Sequence, residues 1–143
     1  TTIIPREKYL QTGKQIAKSV IAQIKGATAT HFASGKCSEI IDDVAETGTY
    51  VVGVSSKEDL SLLKNKCRNK LTILGDLNGI EMRRWTVKQA EDKVKDVISK
   101  AGNGGGFIIS DNHGEIPYQV SDEVLQAISE SVHNFGQYPL IKK

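Results

Sequence analysis

The fold class can be read from Gly106-Phe-Ile-Ile-Ser-Asp-Asn-His-Gly-Glu-Ile-Pro117. The apolar run from Phe107 to Ile109 predicts a buried β-strand, and the polar and titratable side chains begin directly after it, at Ser110. Proteins of the α/β class place their chemistry at the carboxyl ends of parallel strands. The stretch therefore predicts an α/β fold with a candidate site just beyond this strand.

The rest of the chain repeats the alternation of apolar strands with amphipathic helices. A long leading helix is predicted over residues 6–25, because Tyr9, Ile16, Val20 and Ile24 recur at helical spacing. Further strands are predicted at 29–33, 50–54 and 71–74, and further helices at 36–46 and after the cap residues Ser56, Thr86 and Ser121. Strict alternation requires parallel strands joined by right-handed crossovers. A small open doubly wound sheet and half of a (β/α)8 barrel both fit this pattern.

Length and composition predict a single α/β domain over residues 1–143. The net charge of +2, with lysines and arginines scattered along the chain, argues against nucleic acid or an anionic membrane as a partner. No apolar run approaches the ~20 residues that a membrane-spanning helix needs. Cys37 and Cys67 lie far apart without Cys-x-x-Cys spacing, which favours a reducing, cytoplasmic location.

Polar candidates also follow the first and third predicted strands. His31 is either a hydrogen-bonded core histidine or a metal ligand, since neutral imidazole commonly binds metals. Asp76, Asn78 and Glu81 follow the third strand, where an Asp-x-Asn pair can orient a ligand or cap the next turn. We expect all four residues to contribute to substrate binding.

His113 is the strongest candidate for a catalytic residue. It follows the most apolar strand and stands near the carboxylates of Asp111 and Glu115, a setting that suits a metal ligand, a general acid or base, or an anion donor. Asn112, in the same loop, is a further candidate for substrate binding. The alternative is a loop held by local side-chain to backbone bonds, which Asp and Asn readily form.

The glycine cluster Gly102–Gly106 superficially resembles a phosphate-binding loop. Glycines of that kind follow a strand and open a helix, whereas these follow a helix and precede a strand. A flexible connection is therefore the better interpretation. Arg83 and Arg84, before the fourth predicted helix, could bind carboxylates or phosphates, but exposed arginines at such a position are more often solvated side chains.

Four motifs resemble the C-terminal half of the uroporphyrinogen decarboxylase superfamily. They are Thr30-His-Phe-Ala-Ser-Gly35, Ile73-Leu-Gly-Asp-Leu-Asn78, Gly105-Gly-Phe-Ile-Ile-Ser-Asp-Asn-His-Gly114 and Val132-His-Asn-Phe-Gly-Gln-Tyr138. The third is the most specific, and the second is a variant of the family's Gly-Asn-Leu-Asp with Asp76 and Asn78 exchanged. The resemblance covers nearly the whole chain and implies the second half of a (β/α)8 barrel, with one leading helix and four βα units. Because a half barrel has two open strand edges, it also implies a missing N-terminal half or a homodimer mate.

The superfamily contains a tetrapyrrole decarboxylase and methyltransferases that exchange methyl groups between small molecules and corrinoid proteins. His113 matches the decarboxylase's histidine in its His-Gly setting after the last strand. His31 matches the first zinc ligand of the coenzyme M branch, but Ala33 stands where that branch has a cysteine. The wording Asp-Asn-His-Gly-Glu-Ile-Pro is more similar to other corrinoid methyltransferases.

The resemblance therefore implies a corrinoid-dependent methyltransferase, inactive as a fragment, whose partners are a corrinoid protein and a small methylated substrate. His113 would be catalytic with Asp111 or Glu115 orienting it, and His31 could share a metal ion such as zinc with it. A tetrapyrrole decarboxylase is the alternative enzyme. A non-catalytic α/β binding module is the alternative from another class.

Overall fold

A computed structural model describes residues 3–33, 35–112 and 114–140 of the chain. Two short helices come first, α1 (Arg6–Gln11) and α2 (Gly13–Ile21). The remaining elements are β1 (Ala29–His31), α3 (Ile41–Ala45), β2 (Val51–Gly53), α4 (Leu60–Cys67), β3 (Thr72–Leu77), α5 (Gly79–Met82), α6 (Val87–Ala101), β4 (Phe107–Asp111) and α7 (Asp122–Phe135).

The four strands form one all-parallel sheet in the order β1-β2-β3-β4. Each strand pairs with the next strand along the chain, and helices fill the connections between them. The predicted α/β architecture is confirmed, and the arrangement is that of part of a (β/α)8 barrel.

One face of the sheet carries the core. Thr30, Val52, Ile73 and Phe107 are in register across the four strands and therefore point to the same side. Val52 and Ile73 are completely buried. The helices and the segment that precedes α3 contribute further buried side chains to this core, namely Cys37, Ile40, Ile41, Val44, Leu60, Leu63, Cys67, Ala90, Val97, Ala101, Val124 and Ala127.

The opposite face of the sheet, which we call the open face, is much less covered. Its register positions are Ala29, His31, Val51, Gly53, Thr72, Leu74, Ile108 and Ser110. Ala29 and His31 are exposed, and Ile108 is 47% exposed. The prediction of a buried strand is therefore wrong at Ile108, because its side chain points to the open face, while Phe107 and Ile109 are partly buried. In a closed barrel this face points to the barrel axis.

The leading helix differs from the prediction. It is interrupted at Thr12, whose φ of −124° and ψ of −78° separate α1 from α2. Ile16, Val20 and Ile24, expected to face the core, are between 51% and 64% exposed. The apolar stripe of α2 and the residues that follow it is thus present, as predicted, but lies uncovered.

Ion pairs tie the leading helices to the rest of the fold. Asp43 of α3 is buried and accepts hydrogen bonds from Arg6 Nε at 2.8 Å and from Lys14 Nζ at 3.1 Å. Burial acts to raise the pKa of Asp43, but the hydrogen bonds from Arg6 and Lys14 outweigh it and lower that pKa.

Two of the predicted helix starts are also revised. The helix predicted to follow Ser56 is α4, and it begins after Asp59 instead, because the Asp59 carboxylate accepts the Leu62 N–H at 2.9 Å. α3 is shorter than the predicted 36–46. The predicted capping box of Thr86 and Gln89 is confirmed at the start of α6. None of the helices in the described ranges is long and apolar enough to cross a lipid bilayer.

Candidate functional site

The candidate residues cluster where the strands end. Because the strands are parallel, His31 at the end of β1, Leu77 at the end of β3 and Asp111 at the end of β4 lie along the same edge of the sheet. In α/β sheets, ligands bind outside this edge.

His31 lies flat against the neighbouring strand. A Cβ atom added to Gly53, its register partner in β2, would lie 2.2 Å from His31 Cδ2 and 3.2 Å from His31 Nε2. A side chain at position 53 could therefore be accommodated only if the His31 ring moved. The His31 side chain is exposed in this chain, at the edge of the open face.

The loop after β4 crosses the strand ends towards His31. Its backbone is anchored by the Asn112 N–H, which donates to Leu77 O at 2.8 Å. The Gly114 N–H donates to Asp111 Oδ2 at 2.7 Å, and Gly114 has a φ of +84°. A Cβ placed on Gly114 would lie 4.0 Å from His31 Cε1. The loop therefore spans from the last strand of the sheet to the first.

The start of α5, directly after β3, joins the same cluster. A Cβ added to Gly79 would lie 3.2 Å from Glu115 O and 3.4 Å from Asp111 Oδ2. Glu115 is itself exposed, whereas Asn112 is 2% exposed, and no hydrogen-bond partner for Asn112 Oδ1 is found in the described part of the chain. His113, the predicted catalytic residue, lies outside the described residues.

Asp76 lies in a separate groove on the helix side of the sheet. The groove has a volume of about 750 Å³ and is lined by Ser56, Glu58, Asp59, Leu60, Ser61, Asp76, Leu77, Asn78, Glu81, Trp85, Lys93, Asp96, Val97 and Lys100. By register, Asp76 pairs with Ser110 of the open face. The regular alternation stops at Gly75, however, whose φ of +143° falls outside the range of a regular strand.

Asp76 is an under-satisfied carboxylate. Its Oδ1 atom is buried and has no hydrogen-bond partner among the residues that the structure describes. Burial raises the pKa of Asp76, and the charge of Lys100 opposes that shift only in part. A desolvated carboxyl group in a groove is a candidate for a binding or proton-transfer role.

Asn78 and Glu81 line the same groove but are engaged locally. Asn78 caps α5, and its Oδ1 accepts the Glu81 N–H at 3.2 Å. Glu81 is exposed, and its carboxylate lies 3.5 Å from the Arg84 guanidinium. His31 does not line this groove. The structure thus brings His31, Asp111 and the loop at 114–115 together, and places Asp76, Asn78 and Glu81 in a second group.

The described residues do not fit a thiolate-bound zinc ion. They contain no group of three or more His, Cys, Asp or Glu side chains placed to hold a metal. Ala33 occupies the position of the thiolate ligand, and Cys37 and Cys67 are buried in the core. Burial raises the pKa of both thiols, that of Cys67 to about 11. A site made by His31 with His113 remains a prediction.

Sequence reasoning missed two features of the site. Gly53 carries a usable signal, because a glycine inside the run Tyr50–Val54 marks a close approach to the backbone. Lys93 and Lys100, which line the Asp76 groove, carry none, because basic residues on an amphipathic helix are typical of a solvated face.

Comparison with known proteins bears on the family and the fold. The family model described as Uroporphyrinogen decarboxylase (URO-D) matches residues 1–135. No curated protein matches the chain. Among 17 matching chains of solved structures is a methyltransferase from Methanosarcina mazei, with a TM-score of 0.80 and 15% sequence identity. The match covers 94% of this chain and 39% of the methyltransferase chain, so the four-stranded sheet corresponds to part of a larger structure.

Proposed function

Because this chain belongs to the uroporphyrinogen decarboxylase family, we propose that it forms part of a methyltransferase. The enzyme would move a methyl group from a small methylated donor to a corrinoid that a partner protein carries. The fold is shared with a methyltransferase from Methanosarcina mazei, which supports this branch of the family.

The observation that carries the proposal is the chemical character of the open face. Val51, Leu74 and Ile108 make it apolar, His31 stands at its carboxyl edge, and none of its register positions is a lysine or arginine. Such a surface suits a small donor with an uncharged or methylated group better than a substrate with several carboxylates.

The roles of the residues follow from their positions. The apolar side chains of the open face would exclude water from the methyl group. His31, exposed at the strand end, would donate a hydrogen bond or a proton from its imidazole to the donor heteroatom as the carbon–heteroatom bond breaks. The methyl group passes to the corrinoid, and the demethylated donor leaves with the proton.

Asp111 acts as a positioning residue in this proposal. One of its carboxylate oxygens accepts the Gly114 N–H, and a Cβ placed on Gly114 would lie 4.0 Å from His31 Cε1. The carboxylate therefore fixes the loop that borders His31. For His113, the proposed role as a second proton donor or as a metal ligand rests on the sequence alone.

The tetrapyrrole decarboxylase is the weaker candidate. It needs several cationic groups facing the substrate carboxylates, and Arg84, which follows β3, lies beside Glu81 instead. Arg83, the C-cap residue of α5, is exposed.

The experiment uses the full-length protein with cob(I)alamin as methyl acceptor and 2-methoxyphenol or trimethylamine as donor. We expect donor-dependent loss of the cob(I)alamin absorbance. Conversion of uroporphyrinogen to products with fewer carboxylates, without methyl transfer from either donor, would favour the decarboxylase instead.

A separate measurement tests the proposed metal ligands. Stoichiometric zinc in the full-length protein, lost in His113→Ala and in His31→Ala, would support a shared site. Zinc content that both substitutions leave unchanged would remove these histidines as ligands.

A further inference from the structure

The strongest unassigned feature lies at the amino ends of the strands, at the edge of the sheet opposite to His31. A cavity of about 720 Å³ opens there between the end of α4 and the glycine turn that precedes β4. We propose that this cavity binds a small ligand through a phosphate group. The site is independent of the proposed methyl transfer.

All charged side chains among the described lining residues of the cavity are positive. Lys64, Arg68 and Lys70 line it, and no aspartate or glutamate is among its described lining residues. Lys70 forms an ion pair with Asp42 at 2.8 Å, outside the lining. Arg68 has no carboxylate partner within the ranges that the structure describes. A free guanidinium suits a phosphate group, which it can bind through two parallel hydrogen bonds.

The Lys64 side chain is positioned beside the cavity by a hydrogen bond, where it could also bind a phosphate group. Its Nζ donates a hydrogen bond to Gly105 O, and a Cβ placed on Gly106 would lie 3.8 Å from that Nζ. The ammonium group thus sits on the glycine turn. Burial and the nearby positive charge of Arg68 both lower the pKa of Lys64. An anion between the two side chains would relieve their repulsion.

The glycine turn adds backbone donors. Gly104, Gly105 and Gly106 have φ values of +79°, +74° and +67°, which only glycine adopts readily in succession. Within the described residues, the N–H groups of Gly104 and Gly106 make no backbone hydrogen bond, while Gly105 N–H donates to Gly102 O. Open space surrounds Gly104 and Gly105. Free N–H groups next to two cations are typical of phosphate recognition.

The glycine cluster therefore gains a function that its sequence position argued against. A helix N-terminus is absent from this arrangement, and side-chain charge takes its place. The cavity is larger than one phosphate ion needs, and the aromatic ring of Tyr50, 63% exposed, lines it as well. Inorganic phosphate and a nucleotide such as ADP share the required group and are the two probes to compare.

The test is calorimetric titration of the full-length protein with inorganic phosphate and with ADP at low ionic strength. We expect at least one probe to bind with a dissociation constant of about 1 mM. Arg68→Gln should raise that dissociation constant about tenfold or more. Arg83→Gln, which removes an exposed arginine elsewhere, is the matched control and should bind as the wild type does. Circular dichroism of both variants checks that they fold.

The relative affinities of the two probes distinguish the two possible sources of the phosphate group. Tighter binding of ADP than of phosphate supports a phosphorylated metabolite, and equal binding supports free phosphate. Binding that Arg68→Gln leaves unchanged, or no binding of either probe, would overturn the proposal.

Discussion

At the scale of single residues, the contact between His31 and Gly53 defines the candidate site. The imidazole occupies the space that a side chain at position 53 would need, since a Cβ there would lie 2.2 Å from His31 Cδ2. A side chain at position 53 must therefore displace the ring. The placement of His31 depends on its neighbour in the sheet as much as on its own strand.

Gly53→Ala should lower activity by dislodging His31. We expect a loss of about 10-fold or more in kcat, because a general acid contributes about 10²- to 10⁴-fold and acts only when correctly placed. The measurement is a double-mutant cycle with His31→Ala. Gly53→Ala should have little further effect once the imidazole is gone, and fully additive losses would refute the coupling.

The partly buried Asp76 carboxylate should lower the free energy of unfolding at neutral pH, where it is charged. Burial raises the pKa of Asp76 in the folded protein above the ordinary 3.8. The contribution of Asp76 to the free energy of unfolding is therefore fully present only below pH 3.8, and it is lost as the pH rises through the pKa of the folded state. Asp76→Asn should therefore unfold at higher urea concentration than the wild type at pH 7, with the difference vanishing near pH 3. The exposed Glu81→Gln is the control, and a destabilised Asp76→Asn at pH 7 would contradict the account.

Residue positions were only partly predictable from the sequence. The pattern placed His31, Asp76 and Asp111 at one edge of a parallel sheet, because each follows or ends an apolar strand. It did not separate Asp76 from the others, since the positive φ of Gly75 breaks the alternation and spacing does not reveal which helix lies across a strand end.

At the scale of elements, hydrogen bonds at the caps decide where helices begin. Ser55, Ser56 and Asp59 are all acceptable cap residues in sequence. Asp59 prevails because its carboxylate accepts the Leu62 N–H while Leu60, one residue later, enters the core. At Thr86 only one cap was available, and there the prediction was confirmed. Competing caps explain why the start of α4 was predicted wrongly and that of α6 correctly.

Thr86→Ala should destabilise the protein by about 1 kcal/mol, the usual cost of removing a side-chain cap. Thr86 Oγ1 accepts the Gln89 N–H, and the substitution removes this bond, whereas the backbone N–H of residue 86 can still donate to Gln89 Oε1. Ser121→Ala is the matched control, because Ser121 precedes α7 without accepting a cap hydrogen bond. Urea denaturation should show the larger loss for Thr86→Ala, and equal losses would count against the assignment.

At the scale of the whole molecule, the uncovered surfaces share one explanation. The open face, the exposed stripe of Ile16, Val20 and Ile24, and the two edge strands would all be covered in a closed barrel. The chain spans 39% of the methyltransferase chain that it matches. A complementary half barrel or a second copy is therefore the proposed partner of this surface.

The 143-residue chain on its own should self-associate through the open face. We expect sedimentation to give a mass above the 15.6 kDa of a single chain. Ile108→Lys should weaken this association by placing a charge on the open face. Val87→Lys, at a helix position of similar exposure, should not. A wild-type chain that sediments as a monomer would contradict the prediction.

The most direct test of the central claim is methyl transfer by the full-length protein, followed as loss of cob(I)alamin absorbance, in the wild type, His31→Ala and His133→Ala. His133 lies on α7, bonded to Ser129 O, and serves as the control. We predict transfer in the wild type and in His133→Ala, with a loss of about 100-fold or more in His31→Ala. Equal rates in all three proteins would contradict the role of His31 at the edge of the open face.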